Sequence, residues 1–363
     1  MEPSDRVDPA PRTRTRVAVV YGGRSSEHGI SVVSAGSVIA ALDPTRYDVV
    51  ALGITPAGRW QLTHTDPSRM AIEGRSTPQV DDGAEVVVAA DPGGALLRGS
   101  GDLPDVDVVF PVLHGRFGED GTVQGLFELA GVPYVGSGVF ASAAAMDKEM
   151  TKKLLRASGL DVGEFAVLRR GDPVIAADLE HLGLPVFVKP ARAGSSVGIT
   201  RVREWSQLAD AVRLAREHDD KVLVEAAQTG REVECGVLED ADGVPRPSVP
   251  AEIRLRPGHD WYDFEAKYLD DACDFDVPAD LPADVTAAVR EAAVAAFRAL
   301  DCAGLARVDF FVTDAGGVVV NEVNTMPGFT PVSMFPRVWE ATGVAYPELV
   351  DLLVASALRH GAR

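Results

Sequence analysis

Apolar, largely β-branched runs alternate along the chain with stretches of helical period, and their order predicts an α/β architecture. Val17–Tyr21 reads as a short strand, followed by Gly22-Gly23 and a helix starting near Ser31. Further strands are predicted at Tyr47–Ile54, Glu85–Ala89 and Val106–Leu113, and a helix at Thr122–Ala130. Together they make an open, parallel-sheet α/β domain over residues 17–138. The polar, Gly/Pro-rich stretch 57–102 reads as a surface insertion within it. Gly22-Gly23 lacks the G-x-G-x-x-G spacing, so a dinucleotide site is not supported.

A second region opens with an amphipathic helix at Asp147–Ala157. Strand Val186–Lys189, a Gly/Ser loop at Ala193–Gly198 and strand Ile199–Val202 follow, then a helix near Trp205–His218 and strand Val222–Glu225. The third region holds strand Glu232–Leu238, an irregular stretch over 256–275 and a helix at Ala283–Leu300, and it closes with a helix near Tyr346–Arg359. Residues 1–16, rich in Pro, Arg, Asp and Thr, read as a flexible tail without the apolar core of a secretory signal.

Within the third region, residues 307–324 form a hairpin around Asp314-Ala315-Gly316-Gly317. Pairing Val312 with Val319 would put Asp309 opposite Glu322 and Arg307 opposite Asn324. Side chains alternate along a strand, so these four groups share a face. Opposed carboxylates have Cβ atoms roughly 5 Å apart and repel. A hard cation turns that repulsion into coordination, and Asp, Glu and Asn oxygens suit Mg²⁺. An ordinary amphipathic hairpin with one wet face is the alternative.

Composition narrows the setting. With 35 basic against 54 acidic residues the net charge is −19, which argues against broad nucleic-acid binding but leaves room for a local basic pocket. No apolar run approaches the 18 or so residues of a membrane span. Cys235, Cys273 and Cys302 are odd in number and lack metal-ligand spacing, which fits a reduced, cytoplasmic protein.

Other residues suggest anion and substrate chemistry. Lys189 ends a strand just before Gly194-Ser195-Ser196-Val197-Gly198, where a close-approaching backbone and a lysine could bind phosphate; a plain connection is the alternative. Lys148 opens a helix, where the backbone is already positive, and a nearby anion would remove that conflict; an exposed lysine is the alternative. Glu225 and Glu232 flank a crossover and could accept bonds from an adenine amino group or ribose hydroxyls, or simply face solvent. Glu27 and His114 each follow the carboxyl end of a strand, where open α/β sheets bind ligands; routine helix-start acidity and a surface histidine are the alternatives. The aromatic stretch 256–275 fits a surface loop or lid. Asn324-Thr325-Met326-Pro327-Gly328 follows the hairpin, and the Gly328 N–H could face an oxyanion.

In order, GGRSSEHGIS, LHGRFGEDG, MDKEMTK, VKPARAGSSVGI, DFEAKY, ARVDFF and NEVNTMPGFTPVSMFP closely resemble the D-alanine–D-alanine ligase family of ATP-grasp enzymes, from about Val17 to the C-terminal helix. The resemblance implies a two-subdomain ATP-grasp fold, residues 139–225 and 226–363, behind the N-terminal substrate domain, with a lid at 256–275. It implies ATP-dependent joining of two D-alanines through D-alanyl phosphate, for peptidoglycan precursor and hence cell-wall synthesis, with D-alanine–D-lactate or D-alanine–D-serine ligation and a silent ATP-binding regulator as rivals. Lys148, Lys189 and Lys267 would contact phosphates, with Ser195 and Ser196 in the same loop; Glu225 would meet the adenine region and Glu232 the ribose. Asp309, Glu322 and Asn324 match the ligands of two Mg²⁺ ions, which Mn²⁺ could replace. Glu27 would receive the first D-alanine's ammonium and His114 would lie near its carboxylate. Arg307 and the Gly328 N–H match groups that stabilise charge at the reacting centre. Ser195 and Tyr268 match a pair linking Glu27 to the closed lid, and Ser333 and Met334 match contacts to the second D-alanine. Tyr268 and Met334 argue against a D-lactate ligase. A homodimer without nucleic-acid or membrane partners is implied. The pattern departs at Ala226 and Ala227, which replace bulkier residues beside the adenine, and at Gly29, which is acidic in some relatives.

Overall fold

Strand β1 (Thr15–Gly22) is buried on both faces, which is why its sequence is apolar without alternation. The computed structural model describes residues 13–72, 74, 76–80, 83–92, 94–100, 103–194, 196–256 and 273–363. Helix α1 (His28–Ala41) follows, then β2 (Tyr47–Ile54), β3 (Trp60–Leu62) and β4 (Ala84–Glu85). A small hairpin, β5 (Val87–Val88) with β6 (Leu97–Arg98), precedes β7 (Val108–Val112). The sheet runs β4-β3-β2-β1-β7, with β1 parallel to β2 and β7 while β3 and β4 join antiparallel. The expected parallel sheet is therefore the centre of a mixed one.

The predicted strand 85–89 is split between β4 and β5, and stretch 57–102 is not merely peripheral: Met70, Val80, Val86 and Leu97 are buried. Strand β1 also starts at Thr15, inside the segment read as a tail, while residues 1–12 lie outside the described residues.

Three helices follow: α2 (Thr122–Ala130), α3 (Val139–Met146) and α4 (Lys148–Ala157). The next sheet, β10-β9-β11-β8, comprises β8 (Phe165–Leu168), β9 (Val186–Pro190), β10 (Thr200–Val202) and β11 (Val222–Ala226), backed by α5 (Leu208–Arg216). Alternation sends Val186, Val188, Val222 and Val224 into the core against α5. It leaves Phe187, Lys189 and Glu225 on the opposite, cavity face.

The third sheet, β14-β13-β12-β15-β16, contains β12 (Arg231–Glu239), β13 (Pro245–Leu255), β14 (Cys273–Asp276), β15 (Leu305–Val312) and β16 (Val318–Asn324). Helix α6 (Ala283–Ala299) covers its inner face through Val289, Ala293 and Phe297. Helices α7 (Met334–Thr342) and α8 (Tyr346–His360) pack near the first sheet's core. The sequence pattern missed α3, β8, β13 and α7, and Cys273–Asp276 is a strand rather than irregular; the rest of the expected lid, 257–272, lies outside the described residues.

The hairpin corrects one register. Arg307 does pair with Asn324 and Asp309 with Glu322, but Val312 pairs with Val318 rather than Val319. Asn321 is the extra residue that absorbs the shift. Val320 and Val323 therefore both reach the core, while Asn321 and Glu322 both line a cavity.

Candidate active site

Two adjoining cavities lie among the three sheets. The smaller, about 170 Å³, sits between the second and third sheets and is lined by Lys148, Lys189, Ser196, Glu225, Glu232 and Asp309. The larger, about 510 Å³, is bounded by Glu27 and His114 from the first domain, by Arg307, Asn324 and Gly328 from the third sheet and its exit loop, and by Ser333 and Met334 at α7. Lys148 and Glu322 border both. Thus the expected residues that are described converge on one connected space. Ser195, Lys267 and Tyr268 lie outside the described residues.

The third sheet builds the acidic wall. Glu234, Asp309 and Glu322 stand in one row across β12, β15 and β16. Three carboxylates at strand spacing repel one another, and Arg307 answers them. Its Nε and Nη2 each donate to Asp309 at 2.7 Å, and its Nε lies 3.1 Å from Glu234 Oε2. Burial alone would lower the guanidinium's pKa, but Asp309 and Glu234 hold it well above its ordinary value. Asn324 Nδ2 also donates to Asp309 at 3.0 Å.

Asp309, Glu322 and Asn324 supply the hard oxygen donors that suit Mg²⁺. Among the described residues no group of three His, Cys, Asp or Glu side chains is placed to hold a metal ion.

On the opposite wall, α4 begins at Lys148 with Asp147 as its N-cap, accepting from the Met150 N–H at 3.3 Å. Lys148 Nζ donates to Ala193 O at 2.8 Å, at the start of the Gly/Ser loop, and lies 3.9 Å from Glu322. Lys221 clamps the helix start, donating to Asp147 at 2.7 Å and Glu149 at 2.9 Å. Lys189 pairs with Glu225, which a second lysine, Lys152, also contacts.

Glu27 is buried and precedes α1, yet its side chain does not cap that helix. An added Cβ on Gly115 would stand 2.9 Å from Glu27 Oε2, and one on Gly194 would stand 3.4 Å away. Glycine at these two places lets the carboxylate sit between the first domain and the Gly/Ser loop. His114 Nδ1 bonds Met326 O at 3.1 Å, and burial pushes its imidazole below the ordinary range against the pull of Glu27. Gly328 lies so close to Ser333 that an added Cβ would be 2.9 Å from its Oγ.

Sequence reasoning missed Glu119, Lys152, Lys221 and Glu234. Glu119 accepts the Gly115 N–H at 2.7 Å, and withdrawal from water together with the Glu27 charge raises its pKa to about 8. Its only signal was its place in the GEDG run after His114. Glu234 shares its strand face with Glu232, a period-two hint, but nothing local marks Asp309 as its neighbour.

The cleft between the second and third sheets is thus lined by lysines on one wall and by carboxylates with an arginine on the other. Residues 16–137 match the family described as D-ala D-ala ligase N-terminus, and residues 154–355 match D-ala D-ala ligase C-terminus. A D-alanine–D-alanine ligase of Rhodococcus opacus is 59% identical, with 96% of this chain and 98% of that protein covered. The solved D-alanine-D-alanine ligase of Coxiella burnetii superposes with a TM-score of 0.84 at 34% identity, covering 96% of this chain and 95% of that one. The VanG D-Ala:D-Ser ligase of Enterococcus faecalis gives 0.83 at 36% identity, covering 95% and 99%. The chain belongs to the D-alanine–D-alanine ligase family.

Proposed function

We propose that the smaller cavity receives ATP and the larger one two D-alanine molecules, so that the γ-phosphate and both amino acids meet beside Asp309, Glu322 and Arg307. The protein is an ATP-dependent ligase that makes D-alanyl-D-alanine for peptidoglycan synthesis through a D-alanyl phosphate. The observation that carries the site reading is the Glu234–Asp309–Glu322 row, with Arg307 bound to Asp309, where the two cavities adjoin. Family membership supports the residue roles through the motifs they occupy.

In this reading Lys148 and Lys189 bind phosphate oxygens, Glu225 meets the adenine edge and Glu232 the ribose. Ser195, Ser196 and Lys267 would be further phosphate contacts. Asp309, Glu322 and Asn324 would hold two Mg²⁺ ions, or Mn²⁺ in their place. Bound there, the metal neutralises phosphate charge. Glu27 receives the first substrate's ammonium and His114 lies near its carboxylate, which attacks the γ-phosphate. The second substrate, against Ser333 and Met334, brings the amine that displaces phosphate from the acyl carbon. Arg307, held by Asp309 through Nε and Nη2, and the Gly328 N–H face the oxyanion that develops. In the same reading the segment 256–275, with Tyr268, would serve as the lid that excludes water from the acyl phosphate.

The division into residues 17–138, 139–225 and 226–363 is supported by the separate sheets, although β1 begins at Thr15 and β11 ends at Ala226. The three cysteines are buried and none forms a disulfide, which supports a reduced, cytoplasmic setting. Among the described residues no single helix is long and apolar enough to cross a membrane. A homodimer is supported by Leu129 and Phe140, exposed at 65% and 58% on the neighbouring helices α2 and α3; light scattering of the purified protein tests it.

The deciding assay measures ADP release at neutral pH with D-alanine alone, and with D-alanine plus D-lactate or D-serine, and analyses the product. D-alanyl-D-alanine as the dominant product supports the reading. Dominant depsipeptide or D-alanyl-D-serine would move the second-substrate assignment, and the absence of any product would favour a silent ATP-binding protein.

A further inference from the structure

Lys152 lies behind the smaller cavity, on α4, and does not line it. Its side chain is 1% exposed, and its Nζ pairs with Glu225 Oε1 at a point 6.0 Å from the centre of the Phe165 ring. The other oxygen of Glu225, Oε2, pairs with Lys189. Gly163 closes over Oε1 so tightly that an added Cβ would sit 3.2 Å from it. One oxygen of the carboxylate is thus enclosed with Lys152, and the other is shared with a lysine that faces the cavity.

A buried ammonium is costly, and a leucine or methionine would fill the same space without that cost. The charge therefore calls for a reason beyond packing. The two lysines also differ in what they can do. Lys189 can turn to an anion in the cavity, whereas Lys152 is enclosed and cannot follow. Once Lys189 turns away, Lys152 is the partner that stays with the carboxylate.

Whether Glu225 stays ionised determines what it can recognise. A carboxylate only accepts hydrogen bonds, while a carboxylic acid also donates one. A 6-amino purine presents a donor at C6, and a 6-oxo purine presents an acceptor there.

We propose that Lys152 is a positioning residue that determines nucleotide specificity: the fixed counter-ion that keeps Glu225 an acceptor-only carboxylate when Lys189 turns to the phosphates, so that a 6-amino purine is preferred over a 6-oxo purine. This rests on the reading above that Glu225 meets the base edge. Glu225 is held below its usual range by Lys189 and Lys152 against the opposing effect of burial, in keeping with an ionised acceptor.

The test compares Lys152→Met, Glu225→Gln and the double variant, using ATP and GTP as nucleotides and following nucleoside diphosphate release, with KM for D-alanine and thermal unfolding in parallel. A hydrogen bond to a charged group corresponds to about a tenfold to hundredfold effect. Lys152→Met should raise KM for ATP by that factor, leave KM for D-alanine unchanged and narrow the ATP-to-GTP preference. The double variant should match Glu225→Gln, because Lys152 acts only through that carboxylate. If Glu225→Gln leaves the ATP-to-GTP preference intact, the base-edge assignment fails and the proposal falls with it. If Glu225→Gln narrows the preference and a folded Lys152→Met does not, the role of Lys152 is overturned while the assignment stands. Should Lys152→Met not fold, the double variant decides, since it removes the charge and its partner together. A preference equal to that of Glu225→Gln supports the proposal, and a further loss overturns it.

Discussion

Asp309 stands directly opposite Glu322 across β15 and β16, and the extra residue Asn321 beside this pair turns a further polar side chain toward the same cavity. A regular ladder would have kept one outward residue there. The bulge gives two, at the place where ATP and the amino-acid substrates are proposed to meet.

Asp309→Asn removes one carboxylate from the pair and should raise the Mg²⁺ concentration for half-maximal ADP release. A lost metal-ligand charge is worth several kcal/mol, so kcat should fall by about a hundredfold or more. Magnesium titration of the D-alanine-dependent reaction checks it; ligation that survives at low Mg²⁺ would remove Asp309 from the metal set.

Arg307→Lys keeps the charge and loses the planar fork that holds Asp309 while facing Glu234. The expected outcome is a fall in kcat of about a hundredfold with a folded protein, measured beside a thermal melt. Arg307→Ala should also destabilise, by about 3–5 kcal/mol, because Glu234 and Asp309 are left without their buried partner. An alanine variant as stable as the parent in urea would contradict that.

Glu119 gives a pH signature. Its carboxyl is raised from the ordinary 4.5 to about 8, so the folded state holds this proton more tightly than the unfolded chain. The resulting stabilisation is fully present below pH 4.5 and is lost as pH rises through about 8. Glu119→Gln keeps an acceptor for the Gly115 N–H without a titrating proton, and should flatten the stability profile across that window. Urea midpoints from pH 5 to 9 read it directly, and equal slopes for both proteins would refute it.

Lys221 ties Asp147 and Glu149 to the start of the helix that carries Lys148. Burial opposes ionisation of Glu149, but bonds from Lys153 and Lys221 outweigh it and hold the group at about 2. Its contribution is present above the ordinary 4.5 and lost as pH falls toward 2. Lys221→Met should cost about 3–5 kcal/mol at neutral pH and shrink that acid limb. It should also raise KM for ATP, since Lys148 loses its support; an unchanged acid limb would sink the account.

The chain itself determined a good deal. β1, β2, β9, β11 and α2 were legible because a buried strand must be apolar and an amphipathic helix must repeat at its own period. The motifs around Glu27, His114, Lys148, Lys189 and Asp309 marked the candidate site, because their charged groups stand at loop and strand ends that line one connected space. What stayed hidden depends on partners distant in sequence. α3 is alanine-rich with little polar contrast, and β13 alternates less clearly because proline and serine interrupt it. The shift that pairs Val312 with Val318 depends on packing Val320 and Val323 together against α6, which no hairpin rule contains. Glu234 joined the acidic row only when β12 settled beside β15, and Lys152 and Lys221 gained meaning only from the carboxylates that tertiary packing brought to them. Local pattern records what each residue can do, while the neighbour that makes use of it is chosen by long-range burial and charge pairing.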